Sequence, residues 1–356
     1  MQFLQPGQNI LLRFILQDLR REIYFLVFCL MSSVVVIWCC LVLLFTVVSV
    51  LPLFFPNATL ILIVRFLQGL GLSIISVLGR AILSDLLPAE RLVRVMALVA
   101  TAWGIGPVIG PLIGGYLQYY FDWQACFYFF SIFGLVGFLL LLFVLPETHL
   151  NRHPFSWSMI MRDISEVIHH GGFIGCIIMM GLLYSTLVIF NILGPFVVQN
   201  QFHHTSIYFG HVALLLGFAF LCGTLCCRWW LKTHPPEHVL KWSLLLGVLI
   251  SMVMVFWGWF APTLLLAFLG LALGIFFVCG LSYPAAMGKG ASLFRHIAGS
   301  ASSVMTLVSL VITCMVSFAA GFLGGSHTLD IALYDIILLA LSSVVWIVFL
   351  RRYQSS

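Results

Sequence analysis

The sequence predicts an all-α polytopic membrane protein with about ten transmembrane helices, on three observations. The chain of 356 residues is 62% hydrophobic and only 8% charged, and its mean hydropathy is +1.16. A water-soluble domain of this size could not carry that composition on its surface. Apolar runs of about 20 residues recur from end to end, the length that crosses a hydrocarbon core about 30 Å thick. These runs are continuous rather than alternating in segments of about ten residues, so a β-barrel is excluded.

The spans read as 24–55, 59–82, 95–118, 125–146, 173–199, 208–230, 239–260, 263–287, 298–323 and 329–350. The first, at 32 residues, would extend about 48 Å as one helix, more than modest tilting absorbs. Splitting it would put Arg13, Arg20 and Arg21 outside or invert every later loop, so it is kept as one overlong span. Orientation follows from Lys and Arg. One side carries Arg91, Arg94, Arg152, Arg162, Arg228, Lys232, Lys241, Lys289, Arg295, Arg351 and Arg352 with the N-terminal cluster, and Arg80 faces the same way. The opposite loops carry none, so the positive-inside rule predicts both termini cytoplasmic in a multi-pass protein of the cell inner (plasma) membrane. The net charge of +5 is thus a topology signal and no nucleic-acid patch. The predicted organisation is a cytoplasmic segment 1–22, a helical region 23–148 with four spans, a linker 149–172, and a region 173–356 with six.

Within the third span, "WGIGPVIGPLIGGYL" places five glycines and two prolines among apolar residues. As a helix in water it would carry on the order of 10 kcal/mol of adverse propensity. In lipid, small residues let backbones approach closely. Gly106, Gly110 and Gly114 form one stripe and Pro107 and Pro111 a second beside it, predicting a groove for a neighbouring helix with kinks at the prolines.

Arg65 is a second departure from apolarity. It lies seven residues inside its span, about 10 Å below the interface. A central charge costs roughly 2.5–3.5 kcal/mol even on the lenient insertion scale, so it should face a cavity or a partner. Gln68, one turn on, could bind the same species. The residue is either held by backbone carbonyls or acts as a gate responding to proton release from a carboxylate. Tyr184, Asn191, Gln199 and Tyr283, polar groups in apolar spans, are the candidate lining of a substrate cavity. The ten cysteines all fall in or at the edge of spans and read as small hydrophobes. His203 and His204, and His149, His153, His169 and His170 in the linker, lack metal-ligand spacing and read as solvated. The sequence implies no metal and no cofactor. No nucleophile–base pair or phosphate loop appears, which excludes catalysis. "MIMRDISEVI" reads as an amphipathic helix along the membrane.

Several stretches resemble the major facilitator superfamily. Gly106-x3-Gly110-Pro111-x2-Gly114-Gly115 resembles its antiporter signature, with Ala97 where an upstream glycine is usual. "RFLQGLG" (65–71) resembles its fourth-helix motif, and "LPET" (145–148) the end of its sixth helix. "GPFVVQNQFHHTSIYFG" and "AGSAS" are similar to features of Bcr/CflA-type drug:proton antiporters. The resemblance implies a fold of two six-helix halves that rock about a central site, with the glycine helix at the contact between halves. It assigns these ten spans to positions three to twelve. The expectation is therefore an incomplete fold of four plus six helices, lacking the first two and the embedded acid the first one carries. The implied function is proton-coupled export of drug-like amphipathic compounds, with the lipid bilayer, protons and the small substrate as partners. Two alternatives stand beside it: a transport-incompetent remnant acting as an interaction protein, and a metabolite uptake transporter of the same fold.

Overall fold

The computed structural model describes residues 34–86, 95, 106, 109–144, 157–260, 264–294, 297–325 and 327–350. Among these residues all regular structure is helical. In chain order the helices are α1 (Val34–Phe54), α2 (Ala58–Leu86), α3 (109–121), α4 (Gln124–Val144), α5 (Trp157–Ile168), α6 (Gly171–Phe196), α7 (Ser206–Trp230), α8 (Pro236–Phe260), α9 (Leu265–Leu293), α10 (Ala298–Leu323) and α11 (Thr328–Val345). Eight are long and apolar enough to cross a membrane, and α1 contributes a shorter apolar stretch, Trp38–Phe54. Residues 24–33 of the overlong first span lie outside the described residues, as do most of 95–108.

Helices satisfy every backbone donor and acceptor within one segment, which is why they can stand in hydrocarbon. Several hydroxyl side chains in the spans meet the same requirement, whereas the buried Ser317 hydroxyl finds no partner among the described residues. Thr46, Ser131, Ser185, Ser251, Ser282 and Ser342 each donate to the carbonyl four residues back, at 2.7–2.9 Å. The helix ends also find partners. His170 Nδ1 accepts from the Phe173 amide at 3.3 Å, and Thr205 Oγ1 from the Tyr208 amide at 3.3 Å.

Two compact units divide the chain. The first holds α1, α2 and α4, with α1 packed on both others. Val48, Val64 and Phe127 form its small buried cluster. A β-carbon on Gly134 of α4 would run into the Thr46 hydroxyl and meet the Phe45 ring at 3.1 Å, so these two helices touch at the backbone of α4.

The second unit takes in residues 104–120 as well as everything from the linker helix onward. Its centre is α6, which packs against α9, α10 and α11 and buries most of its circumference. The helix α9 in turn packs on α7 and α8. Gly223 of α7 and Gly280 of α9 face each other. A β-carbon at 223 would collide with the Phe277 carbonyl oxygen, and one at 280 with the Phe220 carbonyl oxygen. A β-carbon on Gly181 would come within 2.8 Å of Ile312 Cβ, and one on Gly247 within 2.9 Å of Val278 Cγ1. Outward faces remain apolar: Phe256, Trp259, Phe318 and Phe322 are all exposed, as surfaces solvated by lipid are. The linker helix α5 forms where the pattern predicted, with Val167 buried and Met161 and Ile168 exposed.

The Gly223–Gly280 contact yields a prediction. Gly280→Leu should destabilise the detergent-solubilised protein by about 1–3 kcal/mol through overpacking. Gly288→Leu, whose β-carbon would meet nothing within 4 Å, should leave the thermal midpoint near wild type. Equal midpoints for the two variants would show that the backbone contact does not set the packing.

Candidate functional site

Arg65 stands on α2 in the first unit, where three elements converge on its side chain. Its guanidinium donates to Gln68 Oε1 at 3.2 Å. Gln68 is buried and its amide donates onward to Ser49 Oγ of α1 at 2.7 Å. Ser49 Oγ donates in turn to the Phe45 carbonyl at 2.7 Å. On the other side the guanidinium carbon lies 4.8 Å from the Phe127 ring centroid and 5.0 Å from that of Phe130 on α4. Each ring face attracts a cation by roughly 0.5–2 kcal/mol, and together they are comparable with the roughly 2.5–3.5 kcal/mol that a central charge costs. Among the described residues no carboxylate forms an ion pair with Arg65.

Among the described residues Arg65 is held by the expected Gln68 and by two phenylalanine rings, with neither a backbone carbonyl nor a carboxylate bonded to it. Ser49, Phe127 and Phe130 were missed by sequence reasoning. Their signals were faint: Ser49 is one of two hydroxyl positions in the apolar second half of α1, and the two phenylalanines are three apart, on one face of α4.

The glycine helix α3 packs on α7, but on a different face from the one its main stripe suggested. A β-carbon on Gly115 would approach the Ser206 carbonyl oxygen to 2.6 Å, and one on Gly210 would meet Leu112 Cα at 3.0 Å and the Pro111 carbonyl oxygen at 3.1 Å. The Ser206 hydroxyl donates to the Gly115 carbonyl at 3.2 Å. Tyr116 stacks edge-on against His211 at 5.7 Å. Around Gly106, Gly110 and Gly114, among the described residues, a β-carbon would meet nothing within 4 Å. The groove is thus formed by Pro111, Leu112 and Gly115, about a third of a turn from the Gly106–Gly110–Gly114 stripe. Pro107 lies outside the described residues.

The four cavity candidates separate into two groups. Tyr184 of α6 and Tyr283 of α9 come together, ring centroids 6.2 Å apart and both half-buried. Otherwise enclosed, α6 leaves a narrow accessible strip through Tyr184, Val188 and Asn191, a spacing of three and four that keeps one helical face. The Asn191 amide donates to the Leu187 carbonyl at 2.9 Å. Gln199 sits in the π-helical segment Val197–Gln201, about 22 Å along the axis from Tyr184. Its neighbour Gln201 does the visible bonding there, accepting from the Thr328 amide at 2.8 Å and tying the segment to the start of α11.

Two acids stand out in the second unit. Glu237 is buried and ion-paired with Lys289. Asp335 of α11 is 3% exposed, and its Oδ1 has no hydrogen-bond partner among the described residues. No group of three or more His, Cys, Asp or Glu side chains that could hold a metal occurs among the described residues.

Comparison with known proteins bears on the family and the fold. Residues 25–317 match the family described as the Major Facilitator Superfamily. The chain is 25% identical over 283 residues to a multidrug resistance protein MdtL of Shewanella sp. (strain ANA-3), covering 79% of this chain and 70% of that protein. It is 26% identical over 270 residues to a bicyclomycin resistance protein homolog of Haemophilus influenzae, covering 74% of this chain and 64%, less than two thirds, of that one. Among solved structures it is similar to a bacterial homolog of the human lysosomal transporter Spinster, in an inward-facing, unoccupied conformation. The TM-score is 0.63 at 13% identity, covering 90% of this chain and 84% of that chain.

The α3–α7 contact separates two neighbouring glycines. Gly115→Leu should lower the thermal midpoint by the equivalent of about 1–3 kcal/mol. Gly114→Leu should shift it by no more than a surface substitution does, about 0.5 kcal/mol. The reverse order would put the helix contact on the other stripe.

Proposed function

The chain belongs to the Major Facilitator Superfamily, and from that premise we propose that it is a secondary active exporter that exchanges amphipathic, drug-like compounds for protons. The observation that carries the proposal is Arg65, a permanent cation inside an apolar span. It is held by Gln68 and two aromatic rings, with no ion-pairing carboxylate among the described residues. A guanidinium fixed in this way raises the local potential, and that field responds to any proton or cationic substrate entering nearby. Relatives named for multidrug and bicyclomycin resistance support the class of cargo.

In this reading Tyr184, Tyr283 and Asn191 present ring faces and an amide to the substrate, a combination suited to amphipathic compounds of varied shape. Gln199, at the far end of α6, lines the route rather than the site. The exchanged proton needs a group inside the spans that can gain and lose it. Asp335, enclosed among apolar residues, is such a group in the second unit. The α3–α7 contact is the packing seam of the antiporter-type glycine helix. The Lys- and Arg-rich loops and both termini are cytoplasmic, as the charge asymmetry requires.

The test is dye efflux from cells stripped of their own exporters. Wild type should give efflux that a protonophore abolishes. Arg65→Ala should reduce it at least about tenfold, the effect of some 1.4 kcal/mol, at unchanged membrane abundance. Unchanged efflux by Arg65→Ala would remove the residue from the mechanism. No efflux from inserted wild type would favour the transport-incompetent alternative.

A further inference from the structure

The turn between α7 and α8 carries chemistry that the transport reading leaves unused. Trp230, His234, His238 and Trp242 form an unbroken run of rings. Their centroids are 6.3 Å apart for Trp230–His234, 4.9 Å for the stacked His234–His238 pair and 6.2 Å for His238–Trp242. The spacing of four residues from 230 to 242 keeps them on one side of the turn as it enters α8. They line a groove of about 450 Å³ that continues to Leu246 and Leu281.

The charges around this groove are of one sign. Arg228 at the end of α7, Lys232 in the turn and Lys241 in the first turns of α8 are all exposed, and the Lys241 ammonium lies 5.3 Å over the Trp242 ring. The acid of the same turn, Glu237, points inward and is neutralised by Lys289. Thr233 Oγ1 lies 2.8 Å from His234 Nδ1, which leaves the Nε2 of that ring out of the bond. Beyond the groove, Leu249, Val253 and Phe256 continue an exposed apolar track down α8. From Trp242 to Phe256 it runs about 21 Å, enough to cover one leaflet of a core about 30 Å thick.

We propose that this groove binds the headgroup of an anionic phospholipid, with the phosphate held by His234, His238 and Lys241 and an acyl chain along α8. Imidazole N–H groups and an ammonium donate to phosphate oxygens. A zwitterionic headgroup would bring its own cation against Arg228, Lys232 and Lys241. The shared chemistry with free phosphate is the anion, and the apolar track selects the lipid.

Native mass spectrometry of the purified full chain tests this, with phosphatidylglycerol and phosphatidylcholine of identical acyl chains in equimolar competition. Wild type should retain phosphatidylglycerol over phosphatidylcholine by at least about five-fold, the effect of one basic residue near a charged headgroup. The double variant His234→Ala/His238→Ala should bring the ratio close to one. So should Lys232→Gln/Lys241→Gln, which alters only exposed side chains and guards against a folding defect in the first. Excess inorganic phosphate should not displace the lipid. A wild-type ratio near one, a ratio unchanged in both variants, or displacement by inorganic phosphate would each overturn the proposal.

Discussion

Helices dissolved in hydrocarbon gain little by hiding apolar side chains from one another, so their contacts depend on how closely their backbones can approach. The second unit is organised by that constraint. Gly223 and Gly280 lie so close to the opposing carbonyls that any side chain would collide. That contact locks α7 to α9, and α9, which also carries α8, packs in turn against α6. Gly115 does the same for α3 on α7, and Gly134 for α4 on α1 in the first unit. Each is a place where only a missing side chain permits the packing.

The same solvent makes polar groups expensive, and three ways of meeting that cost are seen beside the buried Asp335 carboxyl, one oxygen of which has no partner among the described residues. Hydroxyls return to their own helix, as at Ser251 and Ser342. Glu237 takes a counter-charge in Lys289 at helix ends. Among the described residues Arg65 takes neither a carbonyl nor an acid: it rests between a glutamine amide and two ring faces. A carboxylate would neutralise Arg65, and none among the described residues does so. In the proposed mechanism, a cation without such a partner is what a proton- or cation-responsive gate requires.

Much of this was legible in the sequence and some was not. From α6 onward, length and hydropathy located the spans of the second unit, most ends to within a few residues and the end of α9 six residues short, because about 20 apolar residues in a row have one stable form in a membrane. Arg65, Gln68 and the glycine helix were visible as departures from apolarity. Their partners were not. When a helix is apolar on all faces, as α4 is, the pattern carries no rotation about its axis, so Phe127 and Phe130 could not be told from the phenylalanines around them. The glycine stripe shows the same loss. Spacing marked Gly106, Gly110 and Gly114 as one face, but the neighbour's position decides which face is used, and Ser206 and Gly210 lie some ninety residues further along the chain. Tyr184 and Tyr283 came together because antiparallel helices of similar length place them at one level; Gln199 belongs to another level altogether.

The most direct test of the central claim, that substrate and proton compete through a field set by Arg65, is proton release on substrate binding. Purified protein in weakly buffered detergent solution would be mixed with a saturating cationic dye while a pH indicator follows the bulk. The account predicts release of protons in proportion to bound dye, lost in Arg65→Ala protein that still binds it. Binding of dye by wild type with no proton released would contradict it.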